Sequence, residues 1–192
     1  LEKNKLDCID LYFEWAENEK EYKDYSLAIL KMREVLGDKY LFSVSLHPVC
    51  YKISKEAIEA VDFISLQCYG PSPVRFPIEK YCSDIQMVLE YGIPKEKLVA
   101  GVPFYGVTKD NSKKTEAYFN FVQNGLVTSP AQNEVIYQGD TYVFDGQDNI
   151  RIKTRYAKEQ KLKGMMSWDL ATDLPLSDSR SLLKTMTEEL RE

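Results

Sequence analysis

The sequence predicts an α/β fold of the (β/α)8 TIM-barrel type, present as a partial barrel. Apolar strand-like runs alternate with amphipathic helical segments along the chain, and this alternation favours βαβ units with a parallel sheet. The first run, residues 7–14, carries carboxylates toward its C-terminal end, where β/α barrels place their active residues. The 192 residues hold five such strands, whereas a complete barrel takes roughly 200–250 residues or more. The chain is therefore either a partial barrel or a smaller α/β domain.

The first predicted strand alternates between apolar and polar side chains and is expected to be buried. Its apolar positions are Ile9, Leu11 and Phe13, and its polar positions are Asp10, Tyr12 and Glu14. On a pleated strand the polar set shares one face, with Glu14 last. Because carboxylates on an interior face are costly unless they are paired or used, this face is the candidate functional surface.

The following segments continue the alternation of helices and strands. Apolar residues at helical spacing and the capping signals at Gly37, Ser54 and Gly92 predict the helices, and short apolar runs predict the strands. In chain order these are helix 22–36, strand 41–46, helix 55–60, strand 61–68, helix 78–89, strand 98–103, helix 150–162, strand 165–168 and helix 179–190.

One segment breaks this alternation. Residues 134–137 and 141–144 flank the turn Gln138-Gly139-Asp140, which is typical of a β hairpin. We therefore expect residues 1–192 to form one partial-barrel domain, with a hairpin insertion at about 134–146 before the last barrel helix. An open half-barrel would leave strand edges exposed at both ends.

The composition is that of an ordinary globular domain. The chain is 44% hydrophobic and 29% charged, with a net charge of −5. This mild acidity argues against a nucleic-acid or anionic membrane surface, and no segment is apolar over the length that a transmembrane helix needs. We expect no nucleic-acid partner and no membrane span.

The cysteines and the single histidine give no metal-binding pattern. The four cysteines lie in or beside apolar segments without paired spacing, which predicts buried free thiols rather than a disulfide framework; they are Cys8, Cys50, Cys68 and Cys82. His47 follows a strand and precedes a proline, so a hydrogen-bonded or solvated histidine is expected rather than a catalytic one. We expect no metal and no cofactor.

The opening strand resembles the family 18 glycoside hydrolases, the chitinases and their relatives. Their fourth barrel strand carries the motif Asp-x-x-Asp-x-Asp-x-Glu. Asp7, Asp10 and Glu14 match three of its carboxylates, and Glu14 occupies the position of the general acid. Tyr12 stands where the family has its third aspartate, and Cys8 stands where it usually has a glycine.

Residues 61–70 resemble the sixth strand of the same family, which usually ends Met-x-Tyr-Asp. Tyr69 matches the tyrosine that supports the acetamido group of the substrate. Gln67 replaces the methionine, and Gly70 replaces the aspartate.

Two further segments resemble the seventh and eighth strands, in the family's order. They are residues 97–106 and 164–169, and the second contains Trp168 at the position of the tryptophan that forms the floor of a sugar subsite. The resemblance therefore implies that the chain is the C-terminal portion of a barrel, strands four to eight. It also implies cis peptide bonds at Glu14–Trp15 and Trp168–Asp169.

The resemblance implies substrate-assisted retaining hydrolysis of β-linked N-acetylglucosamine glycans, in which the sugar's own acetamido carbonyl attacks the anomeric carbon. The implied catalytic residues are Glu14 as acid and base, Asp10 in support, and Tyr69 at the acetamido group. The implied substrate-binding residues are Tyr12, Gln67, Tyr105 and Trp168. Trp168 is the expected stacking platform, and Tyr105 is equally open to a core role.

Two positions weaken the prediction of catalysis. A phenol such as that of Tyr12 is neutral at pH 7, and Gly70 lacks a second carboxylate. The loss of one preorganised electrostatic partner costs roughly 10²–10³ in rate. Three hypotheses stay open: a hydrolase of reduced activity, a non-catalytic sugar-binding protein, and a fragment with an incomplete cleft.

The partners and location follow from the same resemblance. The expected ligand is an oligosaccharide that contains N-acetylglucosamine. A missing N-terminal half-barrel or self-association would cover the open strand edges, and the family implies an extracellular or cell-envelope location.

Overall fold

The computed structural model describes residues 2–70, 72–110 and 113–191. Its helices and strands follow one another in this order: β1 (Cys8–Tyr12), α1 (Glu19–Leu36), β2 (Leu41–Leu46), α2 (Lys55–Ala60), β3 (Phe63–Leu66), α3 (Ile78–Tyr91), β4 (Leu98–Pro103), β5 (Tyr105–Thr108), β6 (Thr115–Ala117), α4 (Tyr118–Gln123), β7 (Glu134–Tyr137), β8 (Asp140–Val143), α5 (Gln147–Glu159), β9 (Gly164–Trp168) and α6 (Leu182–Arg191).

The main sheet has five parallel strands in the order β1-β2-β3-β4-β9. Parallel neighbours require crossover connections, and helices supply them between most of these strands. Within the described residues, β1 and β9 each pair on one side only, so the sheet does not close. The prediction of a partial α/β barrel is confirmed.

The core lies around the three central strands. Alternate side chains of β2, β3 and β4 are completely buried, including Phe42, Ile64 and Ala100. Helices α1, α3 and α5 cover this layer with apolar faces that include Ile29 and Ile85. Burial of this kind stabilises the fold by about 1.5–3 kcal/mol for each large apolar side chain.

The first strand differs from its prediction. It spans five residues, Cys8–Tyr12, and is half-exposed rather than buried: Ile9 and Leu11 are partly covered, whereas Asp10 and Tyr12 are exposed. The physical reason is its position at the edge of the sheet, where β2 is its one neighbour among the described strands.

A second, antiparallel sheet has the order β6-β5-β8-β7. It contains the predicted hairpin, whose turn residues Gln138 and Gly139 have φ values of 51° and 88°, as primed two-residue turns require. The sequence analysis missed β5, β6 and α4. Phe121 of α4 packs against this sheet through ring contacts with Tyr142 and Phe144, at centroid distances of 5.5 and 5.4 Å.

Several element ends follow the expected capping chemistry. Gly37 and Gly92 end α1 and α3 with φ values of 59° and 112°, and Ser54 caps α2 by accepting the Ala57 N–H. The last helix begins at Leu182 rather than 179, because the Asp173 carboxylate accepts the backbone N–H groups of Leu182 and Leu183 and so caps that turn.

The remaining predicted boundaries shift by a few residues. Helix α5 spans Gln147–Glu159 rather than 150–162, and β3 spans Phe63–Leu66 rather than 61–68. All four cysteines are free; Cys50 and Cys68 are buried, and Cys8 and Cys82 are partly exposed. In the part of the chain that the structure describes, none of the helices combines the length and the apolar character needed to cross a membrane.

Candidate active site

The strands of the main sheet present polar and aromatic side chains at their C-terminal ends. Glu14 lies two residues beyond β1, His47 follows β2, Gln67 follows β3, Tyr105 lies two residues beyond β4, and Trp168 ends β9. Because the strands are parallel, these ends meet at one edge of the sheet. An open cavity of about 320 Å³ lies there, within the range of ~300–1,000 Å³ that is usual for small-molecule sites.

All seven residues that the sequence analysis named as catalytic or substrate-binding line this cavity. They are Asp10, Tyr12, Glu14, Gln67, Tyr69, Tyr105 and Trp168. Five further residues line it as well: Trp15, Ser45, His47, Gly70 and Met166. The sequence analysis did not single out Ser45 or Met166, because they come into the cavity through the pairing of β1 with β2 and of β4 with β9.

The Asp10 carboxylate is anchored to the neighbouring strand. Its Oδ1 accepts the Ser43 hydroxyl at 2.5 Å and its Oδ2 accepts the Ser45 hydroxyl at 2.8 Å. The register of the sheet makes this possible, since Asp10 pairs with Ser43 and Tyr12 pairs with Ser45. Asp10 therefore fixes the polar face of β1 against β2.

Glu14 lies in an exposed position on the segment that leaves β1. The Glu14–Trp15 peptide bond is cis, as expected. The Ala16 N–H donates to Cys50 Sγ at 3.1 Å, and the Trp15 ring meets His47 edge-on with 4.6 Å between centroids. The turn from His47 to Cys50 thus holds the backbone that carries Glu14.

Tyr69 is a buried phenol at the floor of the cavity. Its hydroxyl lies 3.5 Å from Met166 Sδ, and its ring stands nearly perpendicular to that of Tyr105 at 6.3 Å. Burial, followed by the effect of Tyr105, raises the pKa of Tyr69, and burial raises the pKa of Tyr105 to about 12. Both phenols are therefore neutral donors at pH 7.

His47 is buried and hydrogen-bonded, which agrees with the hydrogen-bonded alternative of the sequence analysis. Its Nε2 donates to the Tyr69 carbonyl at 2.8 Å, and its Nδ1 accepts the Val49 N–H at 3.4 Å. Burial, and next the charge of Arg75, lower the pKa of His47 to about 4. The ring is neutral at pH 7 and links the β2 end to the β3 end.

Two aromatic side chains stand at opposite edges of the sheet. Tyr12 on β1 is 48% exposed and Trp168 on β9 is 57% exposed. Flat exposed rings of this kind offer apolar faces for stacking. The Trp168–Asp169 peptide bond is cis, as expected.

A second cavity of about 300 Å³ adjoins the first and shares Tyr105 and Trp168 with it. Its other wall comes from β6 and the segment after β9, and includes Glu116 and Asp169. The sequence analysis did not find this extension because it missed β6. Across the described ranges, no group of three or more His, Cys, Asp or Glu residues could hold a metal ion.

The chain is similar to known proteins over most of its length. The model of the glycosyl hydrolases family 18 matches residues 1–173. A class V chitinase of Arabidopsis thaliana is 25% identical over 184 residues, which cover 74% of this chain and 48% of that protein. The chain spans about half the length of the curated relatives it matches.

Solved structures share its fold. The family 18 chitinase ChiB from the chitin utilization locus of Flavobacterium johnsoniae has a TM-score of 0.78 and 27% identity, covering 98% of this chain and 61% of that chain. Human YKL-39, described as a pseudo-chitinase with retained chitooligosaccharide binding, has a TM-score of 0.80 and 16% identity, covering 100% of this chain and 71% of that chain. The second likeness is one of fold alone.

Proposed function

The chain belongs to family 18 of the glycosyl hydrolases, and from this premise we propose that it hydrolyses β-linked N-acetylglucosamine glycans at a reduced rate. The observation that carries the proposal is the cavity at the strand ends. It gathers the exposed Glu14 carboxyl, the buried Tyr69 phenol and the exposed ring of Trp168 around one space. These are a proton donor, a hydrogen-bond donor and a stacking surface.

In the first step the substrate supplies its own nucleophile. The acetamido carbonyl oxygen forms a bond to the anomeric carbon while the bond from that carbon to the leaving oxygen breaks. Glu14 gives its proton to the leaving oxygen, so the departing sugar leaves as an alcohol. The product of this step is a cyclic oxazolinium ion, and Glu14 is left as a carboxylate.

In the second step Glu14 acts as a base. A water molecule attacks the anomeric carbon, gives its proton to the Glu14 carboxylate, and reopens the ring to the acetamido group. Both steps invert the anomeric carbon, so the configuration is retained overall. The proton donor is restored for the next cycle.

Tyr69 supports the acetamido group in this proposal. Among the described residues, the partner of its hydroxyl is the Met166 sulfur at 3.5 Å, and a thioether is a weak acceptor. The hydroxyl is therefore available to a carbonyl oxygen of the substrate. Gln67 and Tyr105 contact the same sugar, and Tyr12 and Trp168 stack against neighbouring sugar faces.

The proposed rate is low because Tyr12 and Gly70 supply no negative charge near the oxazolinium ion. Both Asp10 carboxylate oxygens already accept hydroxyls, from Ser43 and Ser45. In the proposal, Asp10 therefore does not replace the missing carboxylates. The absence of one such partner reduces the rate roughly 10²–10³-fold.

The test is turnover of a fluorogenic chitobioside by the whole natural protein and by its Glu14→Gln variant. We expect the variant to lose activity about 10²-fold or more, because the amide cannot donate the required proton. Glu17→Gln is the matched control, since Glu17 is an exposed glutamate on the same segment and does not line the cavity. Equal turnover of Glu14→Gln and the natural protein would refute the proposal.

The second candidate is a non-catalytic sugar-binding protein. Tyr12 in the cavity and the missing side chain at Gly70 favour it. Calorimetry separates the two functions: chitooligosaccharide binding without any turnover by the natural protein supports the second candidate.

We also propose that the open sheet is completed by further chain. Leu6, Phe13 and Leu41 beside β1 are each more than 40% exposed, which is unusual for the interior strands of a closed barrel. The occupant we favour is an N-terminal half-barrel of the same protein, and self-association is the other arrangement.

A further inference from the structure

The cavity wall has no side chain at Gly70. A Cβ atom placed there would lie 3.4 Å from His47 Nε2, 3.5 Å from Arg75 Cδ and 3.8 Å from Arg75 Nε. The Gly70 backbone is outside the left-handed region, so conformation does not require glycine here. Gly70 therefore leaves the space at its Cβ position unfilled, which we call the notch, and the Arg75 side chain lies behind it.

The charges behind this notch do not balance. The Asp84 carboxylate of α3 is completely buried and pairs with both Arg75 and Lys80; Arg75 Nη1 lies 3.1 Å from Asp84 Oδ2. Among the residues that the structure describes, two cations meet one anion here, which leaves one positive charge in excess. The Arg75 side chain is only 11% exposed, so water and salt screen its charge weakly.

Arg75 has donors to spare. A guanidinium carries five N–H groups, and one of them is bonded to Asp84. Its planar fork matches a carboxylate better than a neutral hydroxyl.

Charged groups elsewhere around the cavity lie on other sides of it. Asp10 and Glu14 belong to β1 and its extension, and Asp169 follows β9. Asp10 is already bonded to two serine hydroxyls, and His47 is neutral because its pKa lies at about 4. The cavity is thus negative near β1 and positive at the end of β3, where Gly70 lies.

Resting on the function proposed above, we propose that the preferred ligand is an acidic glycan. It contains N-acetylglucosamine next to a sugar that bears a carboxylate. The carboxylate occupies the notch at Gly70 and accepts hydrogen bonds from Arg75. A neutral chitin chain would leave the notch without a carboxylate and the excess positive charge without a counter-ion.

The test is calorimetric binding to the whole natural protein carrying Glu14→Gln, which prevents turnover. The probes are a tetrasaccharide that alternates N-acetylglucosamine and N-acetylmuramic acid, the same tetrasaccharide with its carboxylates amidated, and chitotetraose. We expect the acid to bind about 10-fold more tightly than its amide, the effect of one hydrogen bond to a charged group.

Two matched variants test whether the preference for the acid over its amide arises at the notch. Gly70→Asp places a carboxylate beside Arg75 and is expected to abolish the preference for the acid. Gly70→Asn has the same shape without the charge and is expected to keep it, even if both ligands bind more weakly. A Cβ atom is accommodated at this position, since its contacts are ordinary in length.

The outcomes are distinct. Equal affinity for the acid and its amide, together with binding of chitotetraose, overturns the acidic ligand and leaves the proposed function standing. A preference that survives Gly70→Asp overturns the role of the notch. If none of the three glycans binds, the proposed function fails as well.

Discussion

At the scale of single residues, the proposed reaction depends most on Tyr12, which stands where a third carboxylate would otherwise be expected. It lies on the cavity face of β1 beside Asp10 and pairs with Ser45. Its phenol offers a ring and a hydroxyl to a sugar, but no anion. In the proposed reaction, the positive charge on the oxazolinium ion therefore lacks one stabilising partner.

Replacing Tyr12 by aspartate should restore that partner. We expect Tyr12→Asp to raise kcat on a chitobioside about 10-fold or more, with a higher KM because the ring no longer contacts the sugar. Tyr12→Phe is the control and should leave kcat close to that of the natural protein. An unchanged or lower kcat in Tyr12→Asp would show that charge at this position does not limit the rate.

His47 makes the free energy of unfolding depend on pH. Burial lowers its pKa to about 4 in the folded protein, from an ordinary value of 6.5, so protons favour the unfolded chain below about pH 6.5. Its contribution is complete above pH 6.5 and is lost as the pH falls toward 4. We expect a loss of about 2 kcal/mol in the free energy of unfolding, reduced from the full shift by residual solvent screening.

Urea unfolding of the natural protein and His47→Gln at about pH 7, 5.5 and 4 measures this contribution. A glutamine amide can still donate to the Tyr69 carbonyl but does not titrate. The stability difference between the two proteins should shrink as the pH falls. A difference that stays constant over this range would contradict the assignment.

At the scale of elements, the regular parts of the fold were predictable. Gly37 and Gly92 end helices where the sequence places them, because each adopts a positive φ that favours glycine. Elements β5, β6 and α4 were not predicted. Strand β5 begins two residues after β4, at Tyr105, with no helix between them. The sequence of residues 98–108 therefore resembles a single strand, although it forms two strands that belong to two different sheets.

The exposure of β1 was likewise hidden from the sequence. Its alternating pattern predicted a buried strand, but the pattern does not say how many neighbours the strand has. Asp10 and Tyr12 share a face as expected, and the serines that hold Asp10 come from β2 through the register of the sheet. A pairing of that kind depends on tertiary structure, which a single sequence does not encode locally.

The proposed completion of the sheet has a direct consequence for β1. In the whole natural protein we expect the backbone amides of residues 8–12 to exchange with solvent as slowly as those of β3, because both sides of the strand are then hydrogen-bonded. Hydrogen exchange followed by mass spectrometry or NMR measures this. Rapid exchange at β1 with slow exchange at β3 would mean that the edge stays open.

At the scale of the whole molecule, the cavity depends on both halves of the chain. Tyr12 and Glu14 come from its first strand and the segment that follows it, and Trp168 comes from the last strand, across the five-stranded sheet. The resemblance of separate motifs predicted that these residues belong together. It could not predict that His47 lines the cavity or that Arg75 lies behind Gly70, since no motif includes them and packing alone places them there.

The central claim is hydrolysis with the substrate as its own nucleophile, and the configuration of the product tests it most directly. Time-resolved proton NMR of chitotetraose hydrolysis by the whole natural protein should show the β anomer first, with the α anomer appearing only through mutarotation. The fully N-deacetylated tetrasaccharide should not be cleaved, because it lacks the attacking carbonyl. Initial formation of the α anomer, cleavage of the deacetylated chain, or no product from chitotetraose would contradict the account.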